Sequence, residues 1–376
     1  MPARSAWDEW VHQRNLGVAA SGRRREVRDL DGGHPQTVLS ADGRPVVSFA
    51  SNDYLGLSQH PAAIEAARAA TAALGTGAGS ARLIVGARPV HRDLERDLAA
   101  WKGTEAALLF STGFAANLGV LATLGADPET LIISDELNHA SIIDGARLAR
   151  AQVAVSVHRD VDHVAALLDG HDGRAIVVTD SVFSMDGDLA PVDDLAAVCA
   201  DRGALLVLDE AHAVLGPPTP QLGGLDLVVV GTLSKTLGSL GGFMAAPRGY
   251  VDLLTSTARS FIFTTATPPG DAAAAAAALA VVRSDEGDRL RERLRAHIDR
   301  LRPGHPSPIV PVLLGDEERA LAVAESLLQQ GLLVPAIRPP TVAPGTCRLR
   351  IALSAAHTTD QVQTLAAALD GLNCTP

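Results

Sequence analysis

Aromatic residues are scarce in this chain. Three Trp, two Tyr and seven Phe make up 3% of its 376 residues. Hydrophobic residues reach 47%, so a large core is available, but Ala, Val and Leu must fill it. Cysteine is almost absent. Cys199, Cys347 and Cys374 are far apart, odd in number and form no CxxC pair. That excludes a disulfide framework and a zinc site, so no metal is expected, and it fits a reducing cytoplasm. Positive charge is in deficit, with 32 Lys and Arg against 43 Asp and Glu and a formal charge of -11. Nucleic acid is thereby excluded as a main partner, because phosphate binding needs a basic face. A small anionic substrate met by a few local arginines is not.

Long apolar runs are missing as well. The longest, 272–282, is well short of the ~20 residues that span a bilayer. It reads as an alanine-rich helix capped by Asp271 after Pro268-Pro269-Gly270. Residues 1–17 carry no apolar h-region, so neither a signal peptide nor a membrane anchor is expected. No internal repeat and no low-complexity tail is visible.

What is present centres on one lysine. The apolar run Leu227-Val228-Val229-Val230 reads as a buried strand and leads into Gly231-Thr232-Leu233-Ser234-Lys235-Thr236-Leu237-Gly238. A lone lysine hedged by Gly, Ser and Thr fits a nucleophilic amine in a partly dry pocket, where desolvation lowers its pKa. A second strand, 204–208, ends in Asp209-Glu210-Ala211-His212. Two strand ends offering a carboxylate and a lysine suit a pyridoxal phosphate site: the lysine forms the Schiff base and Asp209 keeps the pyridinium nitrogen protonated. Once released, Lys235 becomes a general base over the substrate Cα.

The surrounding pattern fits such a site. Strand candidates at 106–110, 131–134, 153–157, 175–179, 204–208 and 227–230 are mostly separated by helical patterns at 115–124, 141–149, 162–168 and 193–201. This alternation predicts an α/β fold, a mostly parallel sheet with helices on both faces, and ligands beyond the carboxyl ends of the strands. Polar stretches fall at those ends: Ser111-Thr112-Gly113-Phe114, Asn138-His139-Ala140-Ser141, Asp180 to Gly187, and Asp209 to His212. Gly113 and Phe114 open a helix and offer a phosphate seat, helped by Thr112. His139 can stack on a flat ring, and Ser184 and His212 can reach a phenolic oxygen. Gly75-Thr76-Gly77-Ala78-Gly79-Ser80 has Ser80 at the third glycine position and follows a helix, so it fails as a dinucleotide fingerprint and reads as a flexible loop. The division expected is an N-terminal arm at 1–45, a large cofactor-binding domain at 46–250 and a small α+β domain at 251–376.

These residues carry a family resemblance over nearly the whole length. Ser51-Asn52-Asp53-Tyr54-Leu55-Gly56, Ser111 to Asn117, Asn138 to Ser141, Ser184-Met185-Asp186-Gly187-Asp188, Asp209 to His212, Gly231 to Lys235 and Ser354-Ala355-Ala356-His357 together resemble the α-oxoamine synthases. These are pyridoxal-phosphate enzymes of the type I, aspartate-aminotransferase-like fold. Asn52-Asp53 and Arg338-Pro339-Pro340-Thr341-Val342 are similar to the member that joins L-alanine to a pimeloyl thioester in biotin synthesis. Leu137 to Asp144 also resembles the members that use glycine and acetyl-CoA. The resemblance implies that L-alanine displaces Lys235 from the cofactor and that Lys235 removes the Cα proton while His139 stacks on the ring. The carbanion then attacks the thioester of pimeloyl-CoA or pimeloyl carrier protein, and thiol and carbon dioxide leave. It further implies Thr232 as a phosphate ligand, Arg23 and Thr341 as substrate contacts, and Arg350 as a carboxylate partner. The site is expected at a homodimer interface, with 263–269 reaching the partner's phosphate. One motif points elsewhere: Asp209-Glu210-Ala211-His212 spells the DEAH of helicases. No GxxxxGK[ST] loop accompanies it, and Lys235-Thr236 is preceded by Ser234 rather than Gly.

Overall fold

The computed structural model describes residues 5–374 and 376. Its centre is a seven-stranded sheet in the order Ala106–Phe110, Gly242–Ala246, Asp226–Thr232, Leu205–Asp209, Ala175–Asp180, Leu131–Asp135, Gln152–Ser156. All pairings are parallel except those of Gly242–Ala246, which runs antiparallel to both neighbours. Six strands therefore end at the same edge.

Alternation along the strands builds two cores. Val228, Val230, Leu108, Phe110 and Met244 face one side, where Val120, Leu121, Val251 and Leu254 cover them. Val229, Leu109, Phe243 and Ala245 face the other, against Leu94, Leu98, Ala272 and Ala275. Small side chains let these layers approach closely. Gly231 is one example: a Cβ there would stand 2.5 Å from the Phe243 ring.

Two small sheets flank this core. Leu30–Asp31, Gln36–Leu39, Pro45–Ser48 and Leu332–Leu333 form one, so the N-terminal segment pairs with a strand from near the other end of the chain. Ile309–Gly315, Cys347–Ala352 and Ala336–Ile337 form the other, all antiparallel. Among the described residues no helix is long and apolar enough to cross a membrane.

The six strands read from the sequence are present, each shifted or extended by no more than two residues at an end. Elements outside the sequence expectations include the strand Gly242–Ala246 and the helices Pro89–Lys102 and Arg248–Thr257. One expectation is corrected. Asp271 does not cap its helix; the helix runs Pro269–Val282 with Pro268 at the cap, and Asp271 lies in the first turn. Pro269 has no N–H to lose at that position, so the helix starts three residues early.

Candidate active site

The shared strand edge gathers the polar groups. After Ala106–Phe110, Thr112 caps the helix Gly113–Leu124, its hydroxyl accepting from Ala115 N at 3.0 Å. The Gly113 and Phe114 N–H groups, in the helix's first turn, precede any intrahelical bond and point out of its amino end. Gly113 packs so close to Thr232 that a Cβ would sit 3.3 Å from the Thr232 Cβ. Thr232 Oγ1 in turn lies 2.7 Å from Ser234 Oγ and donates to Gly241 O at 3.0 Å. The lysine follows in a tight loop, closed by Leu233 N to Gly241 O and Gly238 N to Lys235 O, both 2.9 Å. Gly238 has φ +58, and a Cβ there would meet Ser58 N at 2.3 Å. Glycine is required at that position by conformation and by space.

One hydrogen-bond network contains this lysine, and the carboxylates of a second act on it through their charge. In the first, Lys235 Nζ lies 2.8 Å from His212 Nε2, His212 Nδ1 lies 2.6 Å from Tyr54 Oη, and Tyr54 donates to Asn52 Oδ1 at 3.1 Å. Arg350 Nη2 also donates to Asn52 Oδ1, at 3.1 Å, and Arg350 Nε donates to Ser184 O. Because Tyr54 spends its proton on Asn52, His212 Nδ1 must donate to Tyr54 and Nε2 must accept from Lys235. Burial lowers the His212 pKa far below its usual value, helped by the positive charges of Lys235 and Arg350. The imidazole is therefore neutral, as that pattern demands. Burial likewise pushes Tyr54 up to about 12, against the pull of Arg350.

The second network starts at Asp209. Its Oδ2 accepts from Asn117 Nδ2 at 2.7 Å and its Oδ1 from Ala211 N at 2.9 Å. Asn117 Nδ2 also donates to Ser141 Oγ at 2.9 Å, and Ser141 Oγ lies 2.7 Å from His139 Nδ1. Ser141 N donates to the same Nδ1 at 3.2 Å, so the His139 proton sits on Nε2. The His139 backbone N–H donates to Asp180 Oδ2 at 2.7 Å. Burial lowers the His139 pKa, with Asp209 opposing and Lys235 adding to the drop. Asp180 is pushed well up by burial and by the Asp209 charge. Lys235 itself is lowered by burial, although Asp209 and Asp180 pull the other way. An amine with a lowered pKa is a better nucleophile and base near neutrality.

The structure thus brings together Lys235, His212, Ser184 and Arg350 in one network and Asp209 and His139 in the other, with Phe114 edge-on to His139 at 6.4 Å. Gly113, Phe114 and Thr232 form the adjoining rim. Arg23 and Thr341 are exposed and stand apart from both networks. They belong to one neighbourhood, however, because Arg338 donates to Gly22 O at 2.6 Å while Thr341 N donates to Arg338 O at 3.1 Å. Sequence reasoning gives no individual role to Tyr54, Asn117, Ser141 or Asp180. Asn117 does carry a signal: it is the single strongly polar side chain in the helix Gly113–Leu124, and a buried amide in such a helix needs partners.

The DEAH letters resolve differently. Glu210 forms a buried ion pair with Lys102 and accepts from Thr219 Oγ1 at 2.6 Å. It is a fastening for the loop beyond the strand, not a nucleotide ligand. Lys102→Met leaves the Glu210 carboxylate buried without its counter-charge. The expected loss is roughly 3–5 kcal/mol of unfolding free energy, read by urea denaturation. A loss under about 1 kcal/mol, the range of exposed pairs, would show that the pair is dispensable.

A family model, aminotransferase class I and II, matches residues 44–369. An 8-amino-7-oxononanoate synthase from Methylorubrum extorquens is 46% identical over 369 residues, covering 96% of this chain and 95% of that protein. The chain belongs to the 8-amino-7-oxononanoate synthase family, within the class I and II aminotransferases. Solved structures agree with that family's fold. An 8-amino-7-oxononanoate synthase from Francisella tularensis matches at TM-score 0.73 and 26% identity, over 87% of this chain and 98% of that one. A serine palmitoyltransferase variant from S. paucimobilis, with a bound PLP–myriocin aldimine, matches at TM-score 0.89 and 29% identity, over 98% and 100%. The fold is therefore the type I pyridoxal-phosphate fold expected from the motifs.

Proposed function

We propose that the protein is a pyridoxal-phosphate-dependent C-acyltransferase acting as an 8-amino-7-oxononanoate synthase. It condenses L-alanine with pimeloyl-CoA, or the pimeloyl carrier protein, with loss of carbon dioxide. The observation that carries the reading is the meeting of a lowered-pKa Lys235 amine with the Asp209 carboxylate at neighbouring strand ends. The donor chemistry fits pyridoxal phosphate. An amine can attach it, a carboxylate can face its ring nitrogen, and the first turn of Gly113–Leu124 with Thr232 can hold its phosphate.

When bound, the cofactor supplies an electron-withdrawing ring that stabilises negative charge at the substrate α-carbon. The chain's residues do the rest. Lys235 is the attachment point and then the base that takes the Cα proton. His212, neutral and accepting at Nε2, holds that proton at Lys235 Nζ, and Tyr54 and Asn52 fix the imidazole behind it. Ser184 and His212 would lie toward the cofactor's phenolic oxygen, and His139 would cover one face of its ring. Arg350 has no carboxylate partner among the salt bridges of the described residues, although it is buried. A buried guanidinium without a protein counter-ion suits the substrate's α-carboxylate. Arg23 and Thr341, on their shared segment, are the contacts assigned to the acyl substrate.

The enzyme is read as a homodimer with the site at the interface. Ile84 is 73% exposed, Val85 67% and Phe263 71%. Exposed apolar groups on neighbouring segments, linked by Ala266 N donating to Ser80 O at 3.0 Å, are what a partner would cover.

The deciding assay follows CoA release with L-alanine or glycine against pimeloyl- and acetyl-CoA. Alanine with pimeloyl-CoA is the expected preference. A preference for glycine with acetyl-CoA would overturn the assignment.

A further inference from the structure

His158 lies outside both networks, yet it joins the two turns that carry them. It follows the edge strand Gln152–Ser156. Its Nδ1 is 3.0 Å from Asp135 Oδ1 and its Nε2 is 2.9 Å from Asp188 Oδ2. Carboxylate oxygens only accept, so a ring bonded to both must donate from both nitrogens and carries a positive charge. Asp135 also accepts from Leu137 N at 2.8 Å and Arg159 N at 2.9 Å, fixing the turn that leads to Asn138 and His139. Asp188 closes the turn containing Ser184, with Phe183 N donating to Asp188 O at 3.0 Å. Phe183 meets the His158 ring edge-on at 4.4 Å. Ser184 O is the acceptor that holds Arg350 Nε.

We infer that His158, as an imidazolium, is a positioning residue that clamps the Phe183–Asp188 turn to the Asp135–His139 turn and so sets Arg350 for the substrate carboxylate. The carboxylate role of Arg350 rests on the reading given under Proposed function; the clamp itself does not.

The charges facing His158 all bear on its titration. Asp135 and Glu136 come from the neighbouring strand end, with Glu136 Oε1 accepting from His158 N at 2.9 Å. Asp188 and Asp186 come from the turn, where Asp186 is paired with Arg348. Arg159 pairs with Asp188 at 3.2 Å. Asp180 lies on the next strand, close enough to feel Asp135, and His305 feels Asp188 from the C-terminal side. Burial works to lower the His158 pKa, but the hydrogen bonds to Asp135 and Asp188 outweigh it and push it up to about 9. A histidine raised on folding stabilises fully below its unfolded value near 6.5, and the contribution is lost as pH rises through about 9.

The test uses the full-length, cofactor-loaded protein and His158→Gln, with Asp188→Asn as a second variant. L-alanine binding is followed by the cofactor's absorbance, and thermal melting is followed from pH 7 to 10. In the wild type, alanine binding and melting temperature should both fall through a limb near pH 9. His158→Gln should weaken alanine binding roughly tenfold to a hundredfold at pH 7.5 and abolish the limb. It should leave binding of ethylamine, which lacks the carboxylate, within about twofold, a split that a merely structural role would not produce. Asp188→Asn should move the limb to lower pH by about one unit. Unchanged alanine binding and an unchanged limb in His158→Gln would overturn the clamp. If that variant does not fold, a limb left at pH 9 in Asp188→Asn does so. Wild-type protein that binds alanine but makes no product from pimeloyl-CoA would sink the synthase reading and leave the clamp standing.

Discussion

Lys235→Ala is expected to lower turnover of L-alanine with pimeloyl-CoA by about 10⁴-fold or more. The proposed mechanism gives that side chain three functions: covalent attachment, removal of the Cα proton, and its return. Nothing nearby can replace them. His212 is neutral and already committed at Nδ1 to Tyr54, and His139 Nδ1 accepts from Ser141. Asp180 is pushed well up by burial and is bonded to the His139 N–H. The variant should stay folded, because Lys235 is partly exposed and its loop is held by backbone bonds and by Gly238. Steady-state kinetics on the reconstituted variant measures the effect. Residual turnover above about 1% of wild type would mean that another group performs the proton transfer.

Asp209→Asn is expected to cost roughly 10²–10³-fold in kcat/KM. The change keeps the size of the side chain and removes its charge. Asp209 now accepts two hydrogen bonds, from Asn117 Nδ2 and Ala211 N. An amide has one oxygen for those two donors, so one of them must face an NH₂ group. The expected loss therefore has two parts: the charge proposed to face the ring nitrogen, and a disturbance passed through Asn117 and Ser141 to His139. A cycle with Asn117→Ala separates them. Asn117→Ala alone keeps the carboxylate and should cost about tenfold or less, and the double variant should fall short of the product of the single losses. Retention of wild-type kcat/KM within about threefold by Asp209→Asn would remove the electron-sink role.

The sequence discloses the strand ends because buried parallel strands are written as short apolar runs that stop at polar residues. Asp209 and Lys235 stand out at such stops, and both lie where that reasoning puts them. Gly242–Ala246 escapes notice because glycine, alanine and methionine give little strand signal. Its conformation is imposed by pairing on both sides, with Met244 opposite both Leu108 and Val230. Pro89–Lys102 does leave a trace, since Leu94 and Leu98 mark a buried face four residues apart. The networks themselves are not legible. Tyr54 and His212 are 158 residues apart, and Ser184 and Arg350 are 166 apart. Distances of that kind come from topology, which residue order alone does not fix.

One chemical step tests the central claim most directly. The protein loaded with pyridoxal phosphate is treated with borohydride, digested, and its peptides are weighed. The account predicts a single peptide carrying the reduced cofactor, with the modification on Lys235 and none on Lys102. A cofactor-loaded protein that yields no adduct at Lys235, or places it on another residue, would contradict it.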